Sequence, residues 1–252
     1  MDQDYALVVE GVSKTFYLDQ FLVDTLKARL FSALRTKEVK ILKALEDITF
    51  SVPKGEVFGI IGRNGSGKST LVKVLSGAFV PDAGGKVIRN GSSMLMSLSI
   101  GLSHELTAAE NIYVTGSALG LSLKKIDSLF NQIIEFAELG EFVNTKIKYF
   151  SSGMIQRLSF SIAVNANAEI MFLDEVFAVG DAVFKKKAVE VLEKSWLDGR
   201  TVVMVSHSMD NIKKYCHRVI YLQKGKIRFL GSPEEAIQMY MEDNHVEEEA
   251  TD

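Results

Sequence analysis

Residues 56–75 read EVFGIIGRNGSGKSTLVKVL and contain an apolar run, a glycine-rich loop and a helical pattern, in that order. The apolar run is typical of a strand that is buried on both faces. The loop fits the phosphate-loop pattern G-x-x-x-x-G-K-[S/T], in which glycines let successive backbone N–H groups point at phosphate oxygens. The positive end of the following helix adds to this anion site. A chance glycine-rich turn is the alternative, but the flanking strand and helix disfavour it, so the stretch predicts nucleotide binding.

Two side chains of this loop have predicted roles of their own with ATP and Mg²⁺. Lys68 is expected to reach the β- and γ-phosphates and so to take part in catalysis, and the Ser69 hydroxyl is expected to ligate Mg²⁺. The residues expected to contact the nucleotide are Gly62, Arg63, Asn64, Gly65, Ser66, Gly67, Lys68, Ser69 and Thr70.

Strand and helix patterns alternate on both sides of the loop. Strand patterns occupy residues 5–17, 44–61, 169–173 and 201–206, the second of them interrupted by the turn signal Pro53-Lys54-Gly55, and helical patterns occupy residues 69–75, 107–140 and 185–196. This alternation predicts an α/β fold with a mostly parallel sheet and flanking helices. The helical stretch of about 104–160 is expected to form a subdomain inserted into that sheet.

Composition limits the classes of partner and compartment. The net charge of −3 argues against a general affinity for nucleic acid, and the single cysteine, Cys216, cannot form an internal disulfide. The N-terminus carries acids where a signal peptide would be basic, and the uncharged stretch 91–103 is shorter than the ~18 residues a membrane span needs. We therefore expect a cytoplasmic protein that needs another chain for any membrane process.

Polar residues follow two of the predicted strands. Asp174 and Glu175 come directly after Ile170–Leu173, and His207 follows the strand pattern of 201–206. Since ligands of open α/β sheets gather at the carboxyl ends of strands, Asp174 is expected to hold Mg²⁺ and Glu175 to polarise the attacking water as general base. His207 is expected to contact the γ-phosphate. The alternatives are a solvated acidic loop and a histidine satisfied within the core.

A further segment carries a resemblance to a known family. Residues 150–157 read FSSGMIQR, which looks like the signature LSGGQxxR of the ABC ATPase family, and they precede the acidic pair as in that family. The resemblance covers nearly the whole chain, about residues 1–240. It implies a P-loop NTPase core, an antiparallel β subdomain and an inserted α-helical subdomain.

The resemblance also implies an assembly. Ser151, Ser152 and Gly153 would complete the ATP site of a second copy, so that two copies enclose two MgATP beneath a separate transmembrane permease that is also present twice. Phe16 would stack on adenine, Asp181 would belong to the D-loop at the dimer interface, and His207 would be the switch histidine. Plain core packing for Phe16 and a helix N-cap for Asp181 stay open as alternatives.

Departures from the general pattern indicate a branch of the family. No glutamine lies between Gln20 and Gln132, so the Q-loop glutamine is missing near Leu98-Ser99, and Ser152 and Met154 differ from the usual signature. These features resemble bacterial polysaccharide exporters, whose ATPases move lipid-linked O-antigen, capsule or teichoic acid. The chain is then expected at the cytoplasmic face of the cell membrane, held there by the permease.

Two segments, residues 19–40 and 241–252, are not explained by the family motifs. Residues 19–40 carry an apolar stripe and more basic than acidic residues, which predicts an amphipathic helix that lies against anionic headgroups or the permease, or packs on its own core. Residues 241–252 are acidic and free of aromatic residues, and a flexible tail is expected there.

Overall fold

The computed structural model describes residues 4–19, 39–96, 101–166, 168–174, 180–197 and 199–249. In chain order the elements are β1 (Tyr5–Asp19), β2 (Val39–Pro53), β3 (Val57–Ile61), α1 (Lys68–Ser76), β4 (Lys86–Arg89), β5 (Ser93–Met96), α2 (Ala108–Ala118), α3 (Leu123–Ala137), α4 (Ser152–Ala163), β6 (Ile170–Asp174), α5 (Ala182–Leu197), β7 (Thr201–Val205), α6 (Met209–Tyr215), β8 (Arg218–Gln223), β9 (Lys226–Gly231) and α7 (Pro233–Glu249).

The central sheet carries the glycine-rich loop. Among the described residues it has six strands in the order β5-β6-β7-β3-β8-β9, and every neighbouring pair is parallel except β8 and β9. All residues of β3 and β7 are buried, because helices or the second sheet cover both faces. The predicted α/β fold with a mostly parallel sheet is confirmed.

A second, antiparallel sheet has the order β2-β1-β4 in the described chain, as the family resemblance implied. β1 and β2 remain paired as far as Asp19 and Val39. The prediction of a helix over about residues 19–40 is therefore wrong at both ends. There the backbone N–H and C=O groups are satisfied by pairing between the two strands, and the sequence pattern does not reveal this pairing. Residues 20–38 of that predicted helix lie outside the described part of the chain.

Three helices, α2, α3 and α4, share an apolar core of their own, which includes Ile112, Ile126, Ile133, Leu158 and Ile162. The helical pattern predicted over 107–140 is divided in two, because Gly120 adopts a left-handed φ of 86° and ends the first helix. α2 begins with a capping box between Thr107 and Glu110.

The C-terminal helix differs from its prediction. α7 continues to Glu249, so the flexible tail expected from residue 241 is helical over its described part. Two tertiary contacts hold this end of the helix: Arg228 donates to Asp243 over 3.2 Å, and the rings of Tyr240 and Tyr221 meet edge to face at 5.5 Å. None of the helices in the described ranges has both the length and the apolar character that crossing a bilayer requires.

Cys216 lies behind the central sheet in the apolar cluster between α6 and β8, with 8% of its surface exposed. Its sulfur is so close to β3 that a Cβ on Gly59 would lie 2.9 Å away from it. Burial, aided by the negative charge of Glu56, raises the pKa of the Cys216 thiol to about 12.

We therefore expect the folded protein to resist thiol reagents. At about pH 8 the thiol is neutral and covered, so a disulfide reagent that releases a coloured product should label no cysteine in native protein and one per chain after unfolding in denaturant. Lys124→Cys, on the exposed side of α3, is the control and should add one fast-reacting thiol. Fast stoichiometric labelling of the native wild-type chain would contradict the packing described for Cys216.

Candidate nucleotide-binding site

The glycine-rich loop joins β3 to α1 and owes its shape to its glycines. A Cβ added to Gly62 would lie 2.2 Å from the Leu222 carbonyl oxygen, and one added to Gly67 would lie 2.5 Å from the Ala44 carbonyl oxygen. Gly62, Gly65 and Gly67 have φ values of 150°, 79° and 106°, which side chains rarely adopt. A Cβ on Gly65 would meet nothing within 4 Å, so the loop is packed on one side and open on the other.

The open side is suited to an anion. Gly67 caps the N-terminus of α1 without any side-chain hydrogen bond, whereas serine or threonine side chains cap α2, α3 and α4. Backbone N–H groups at a helix start carry partial positive charge and commonly bind phosphate. The α1 N-terminus therefore provides the geometry that the sequence predicted for a phosphate site.

Lys68 is folded into this loop, with only 7% of its surface exposed. Its Nζ donates to the carbonyl oxygens of Gly62 over 2.8 Å and of Arg63 over 3.0 Å. The Ser66 hydroxyl is also buried and has no hydrogen-bond partner in the described chain. A buried ammonium and an unsatisfied hydroxyl are the groups that a bound phosphate can satisfy.

The sheet topology brings the predicted acidic and histidine residues to the same edge. Asp174 ends β6 and lies opposite Val205 at the end of β7, and Val205 in turn lies opposite Ile60 near the end of β3. The phosphate loop, Asp174 and His207 thus leave the sheet at neighbouring carboxyl ends. Glu175, the predicted base, follows Asp174 directly but lies outside the described residues.

The residues proposed for Mg²⁺ fit that ion by their chemistry. Ser69 lies in the first turn of α1 and Asp174 at the end of β6, so one hydroxyl and one carboxylate lie on the same edge of the sheet. Mg²⁺ prefers oxygen ligands and usually takes one or two from the protein, filling its coordination with phosphate and water oxygens.

The predicted adenine contact, Phe16, lies on β1 and is half-buried. Its ring meets the edge of the Phe79 ring at 5.6 Å, and the ammonium of Lys14 lies 5.6 Å from its centroid. Phe16 thus packs on a partly buried ring at the margin of the core. Core packing and stacking on adenine both remain predictions for it.

Ser151, Ser152 and Gly153 form an exposed turn at the start of α4. The Ser151 hydroxyl accepts a hydrogen bond from the Met154 N–H over 3.2 Å, and a Cβ on Gly153 would meet only that hydroxyl, at 3.9 Å. Phe150 anchors this turn in the core of the helical subdomain, which is separate from the cluster beneath the phosphate loop. The signature turn and the phosphate loop therefore belong to two different parts of one chain.

Asp181 caps α5, as its alternative interpretation predicted. Its Oδ1 accepts hydrogen bonds from the N–H groups of Phe184 and Val183, both over 3.0 Å. These bonds, that of Phe184 foremost, hold the pKa of the Asp181 carboxyl below its usual range. The D-loop role of Asp181 remains a prediction.

Gln156 has no role that a sequence pattern predicts, and its side-chain oxygen accepts a hydrogen bond from the Gly180 N–H over 3.2 Å. The two residues are 24 positions apart, and no local pattern links them. Only the position of Gln156 within the signature segment could have drawn attention to it.

Comparison with known proteins agrees with this geometry. Residues 45–178 match the protein family described as ABC transporter. The chain is 38% identical over 242 residues to the teichoic acids export ATP-binding protein TagH of Listeria monocytogenes, covering 96% of this chain and 71% of that protein. It is 39% identical over 197 residues to the O-antigen export system ATP-binding protein RfbB of Klebsiella pneumoniae, covering 78% of this chain and 80% of that protein.

A solved structure of a dimeric ATP-binding cassette in a post-hydrolysis state with ADP and Pi superposes with a TM-score of 0.71. It covers 90% of this chain and 98% of its own, at 22% identity, which shows the shared fold alone. The family match spans the phosphate loop, the signature segment and the acidic pair. On these grounds the chain belongs to the ABC transporter family, as one of its ATP-binding and ATP-hydrolysing subunits.

Proposed function

We propose that the chain powers the export of a lipid-linked cell-surface polysaccharide, as one of two ATPase copies bound beneath a separate permease at the cytoplasmic face of the cell membrane. The observation that supports an assembly of two ATPase copies is that the phosphate loop and the Ser151–Gly153 turn lie on different parts of one chain. The substrate class is supported by the two similar export proteins, at 38% and 39% identity, one named for teichoic acids and one for O-antigen.

Each ATP is held mainly by one chain. The loop of residues 62–70 surrounds its phosphates, and Lys68 exchanges its two carbonyl partners for the β- and γ-phosphate oxygens. Phe16 stacks on the adenine ring. When bound, Mg²⁺ would be held by Ser69 and Asp174 and would neutralise charge on the phosphate oxygens.

A second copy completes each site. The exposed turn at the start of α4 presents Ser151, Ser152 and the Gly153 N–H, together with the positive end of the helix, to the γ-phosphate on the partner. Because each chain has a loop and a turn on different parts, a pair related by a two-fold axis forms two complete sites. Asp181 would lie at the interface of that pair.

Hydrolysis follows from the groups at the carboxyl ends of the strands. Glu175 accepts a proton from water as the water oxygen bonds to the γ-phosphorus, and the bond from that phosphorus to the ADP oxygen breaks. His207 and Lys68 stabilise the charge on the transferred phosphoryl group. Release of phosphate and ADP removes the link between the copies, which then separate and allow the permease to reset.

We expect Glu175→Gln to retain ATP binding and to lower the rate of phosphate release by about a hundredfold or more, because the general base is lost. ATP should then trap a dimer, visible as a doubled mass in light scattering. Glu190→Gln, on the exposed side of α5, is the matched control and should keep wild-type turnover. A Glu175→Gln chain that hydrolyses at the full rate would remove Glu175 from the role of base.

A mixing experiment tests whether the site is shared between copies. Lys68→Ala and Ser151→Ala should each be inactive alone, but a mixed pair contains one site with both residues intact. Phosphate release should therefore appear when the two variants are combined. If Ser151 acts only within its own chain, mixing restores nothing, and the proposed arrangement of the two copies is wrong.

The substrate is tested in cells that depend on this chain. Replacing it by the Glu175→Gln variant should lower cell-surface polysaccharide and cause the lipid-linked form to accumulate in the cytoplasmic membrane. Detergent-solubilised wild-type chain should also co-purify with a multispan membrane protein. Unchanged surface polysaccharide alongside an inactive ATPase would show that the transported substrate belongs to another class.

A further inference from the structure

A cation lies over the side chain that is expected to receive adenine. Lys14 and Phe16 both belong to β1, and the Lys14 ammonium lies over the Phe16 ring, 5.6 Å from the ring centroid. The Lys14 side chain is only 20% exposed. An ammonium at this distance is attracted to the negative face of an aromatic ring, and the attraction grows as water is removed. Lys14 therefore constrains the orientation of the Phe16 ring.

The Lys14 ammonium is held in place by the segment that follows α1. Its Nζ donates to the Val80 carbonyl oxygen over 2.8 Å and lies 3.9 Å from the Asp82 carboxylate. The Asp82 N–H in turn donates to the carbonyl oxygen of Ser13, the neighbour of Lys14 on β1, over 2.8 Å. Contacts other than Phe16 thus set the position of the charge, which makes it a fixed point for the ring.

A second contact holds the Phe16 ring. The Phe79 ring meets it edge to face, with the centroids 5.6 Å apart and the ring planes at 70°. The Phe79 N–H donates to the Lys73 carbonyl oxygen over 2.9 Å, and Lys73 lies on α1. Because α1 begins at the phosphate loop, the groups that orient Phe16 are built on the same continuous segment as the phosphate site.

Phe16 also keeps surface for a ligand. It is half-buried, whereas Phe58 and Phe172 of the central sheet are fully buried. A ring that is held by a cation and by a second ring, with part of its surface exposed, can offer that part to a flat base. Since its orientation is set before the base arrives, the ring loses little rotamer freedom on binding. Lys14 need not contact the nucleotide for this effect.

We propose that Lys14 is a positioning residue of the adenine subsite, which holds the Phe16 ring in the orientation that stacks on the base. This inference rests on the proposed function, in which Phe16 makes that contact. Lys14 acts through the ring and not on the phosphates, so it contributes to ATP affinity and leaves the hydrolysis step unchanged. The alternative is a lysine that only joins β1 to the segment after α1, which would contribute to stability and not to affinity.

The test is a double-mutant cycle between Lys14 and Phe16. Lys14→Met keeps the apolar stem and removes the ammonium, Phe16→Leu removes the ring, and a double variant combines the two changes. Lys14→Arg keeps a cation at this position, and Lys86→Met, at an exposed position of β4, is the matched control. For each purified chain, calorimetry measures the affinity for a non-hydrolysable ATP analogue, phosphate release gives kcat, and circular dichroism gives thermal stability.

We expect Lys14→Met to weaken the affinity about threefold, the effect of a modest cation–π contact, and to leave kcat unchanged because the base takes no part in the reaction. Phe16→Leu should weaken the affinity about tenfold, because stacking is lost. In that background Lys14→Met should add no further loss, since two residues that act as a unit are not additive. Lys14→Arg and Lys86→Met should bind the analogue about as tightly as the wild type.

Wild-type affinity in Lys14→Met would overturn the inference. So would a loss that persists in the Phe16→Leu background, because Lys14 would then act elsewhere, and so would equal losses in Lys14→Met and Lys14→Arg that follow their thermal stabilities.

Failure of the proposed function gives different results. If Phe16→Leu binds the analogue as tightly as the wild type, the adenine contact is wrong and the role of Lys14 fails with it. A wild-type chain without phosphate release, or a Glu175→Gln chain that never dimerises, would contradict the ATPase assembly itself. A negative result for Lys14 alone leaves that assembly and the role of Phe16 intact.

Discussion

The phosphate loop packs between the two sheets, and the rest of the structure depends on the close approach of its glycines to both. Gly62 lies against the Leu222 carbonyl of β8, and Gly67 lies against the Ala44 carbonyl of β2, at distances that would exclude any Cβ. The turn after β8 strengthens the junction, because the Gly225 N–H donates to the Ser66 carbonyl and the Gly225 carbonyl accepts from the Glu46 N–H. The anion site is therefore formed only when the antiparallel sheet is docked on the parallel one.

The rest of the chain divides the chemistry between two bodies of structure. The sheet edge gathers Lys68, Asp174 and His207, which are proposed to act on phosphate and water. The helical subdomain carries the Ser151–Gly153 turn on a separate apolar core, and α4 extends from that core into the packing around the central sheet, where Phe160 lies. Helix α4 thus belongs to both bodies, and Phe136 of α3 also packs against the central cluster, so contacts made by these two helices link the bodies.

The parts of the fold that were predicted from the sequence are those with local causes. Residues 56–75 specify a buried strand, a glycine loop and a helix in immediate succession, and the structure contains β3, the loop and α1 there. Strand pairing of Asp19 with Val39 and the contact of Arg228 with Asp243 join distant residues, so the extent of β1 and of α7 was mispredicted. For the site, the motifs indicated Lys68, Asp174 and His207, whereas the contact of Gln156 with Gly180 depends on how α4 packs and carries no sequence signal.

The pairing of Asp19 with Val39 has a consequence for how such a chain can diverge. Asp19 and Val39 face each other as one pair of the β1–β2 ladder, so the number of residues between them can change without shifting the register of the two strands. In general, the free-energy cost of closing a loop between two fixed points rises slowly, by about 0.6 kcal/mol for each doubling of the loop length. The end of the β1–β2 hairpin is thus a place where new sequence can accumulate over evolutionary time while the ATPase core below it stays the same.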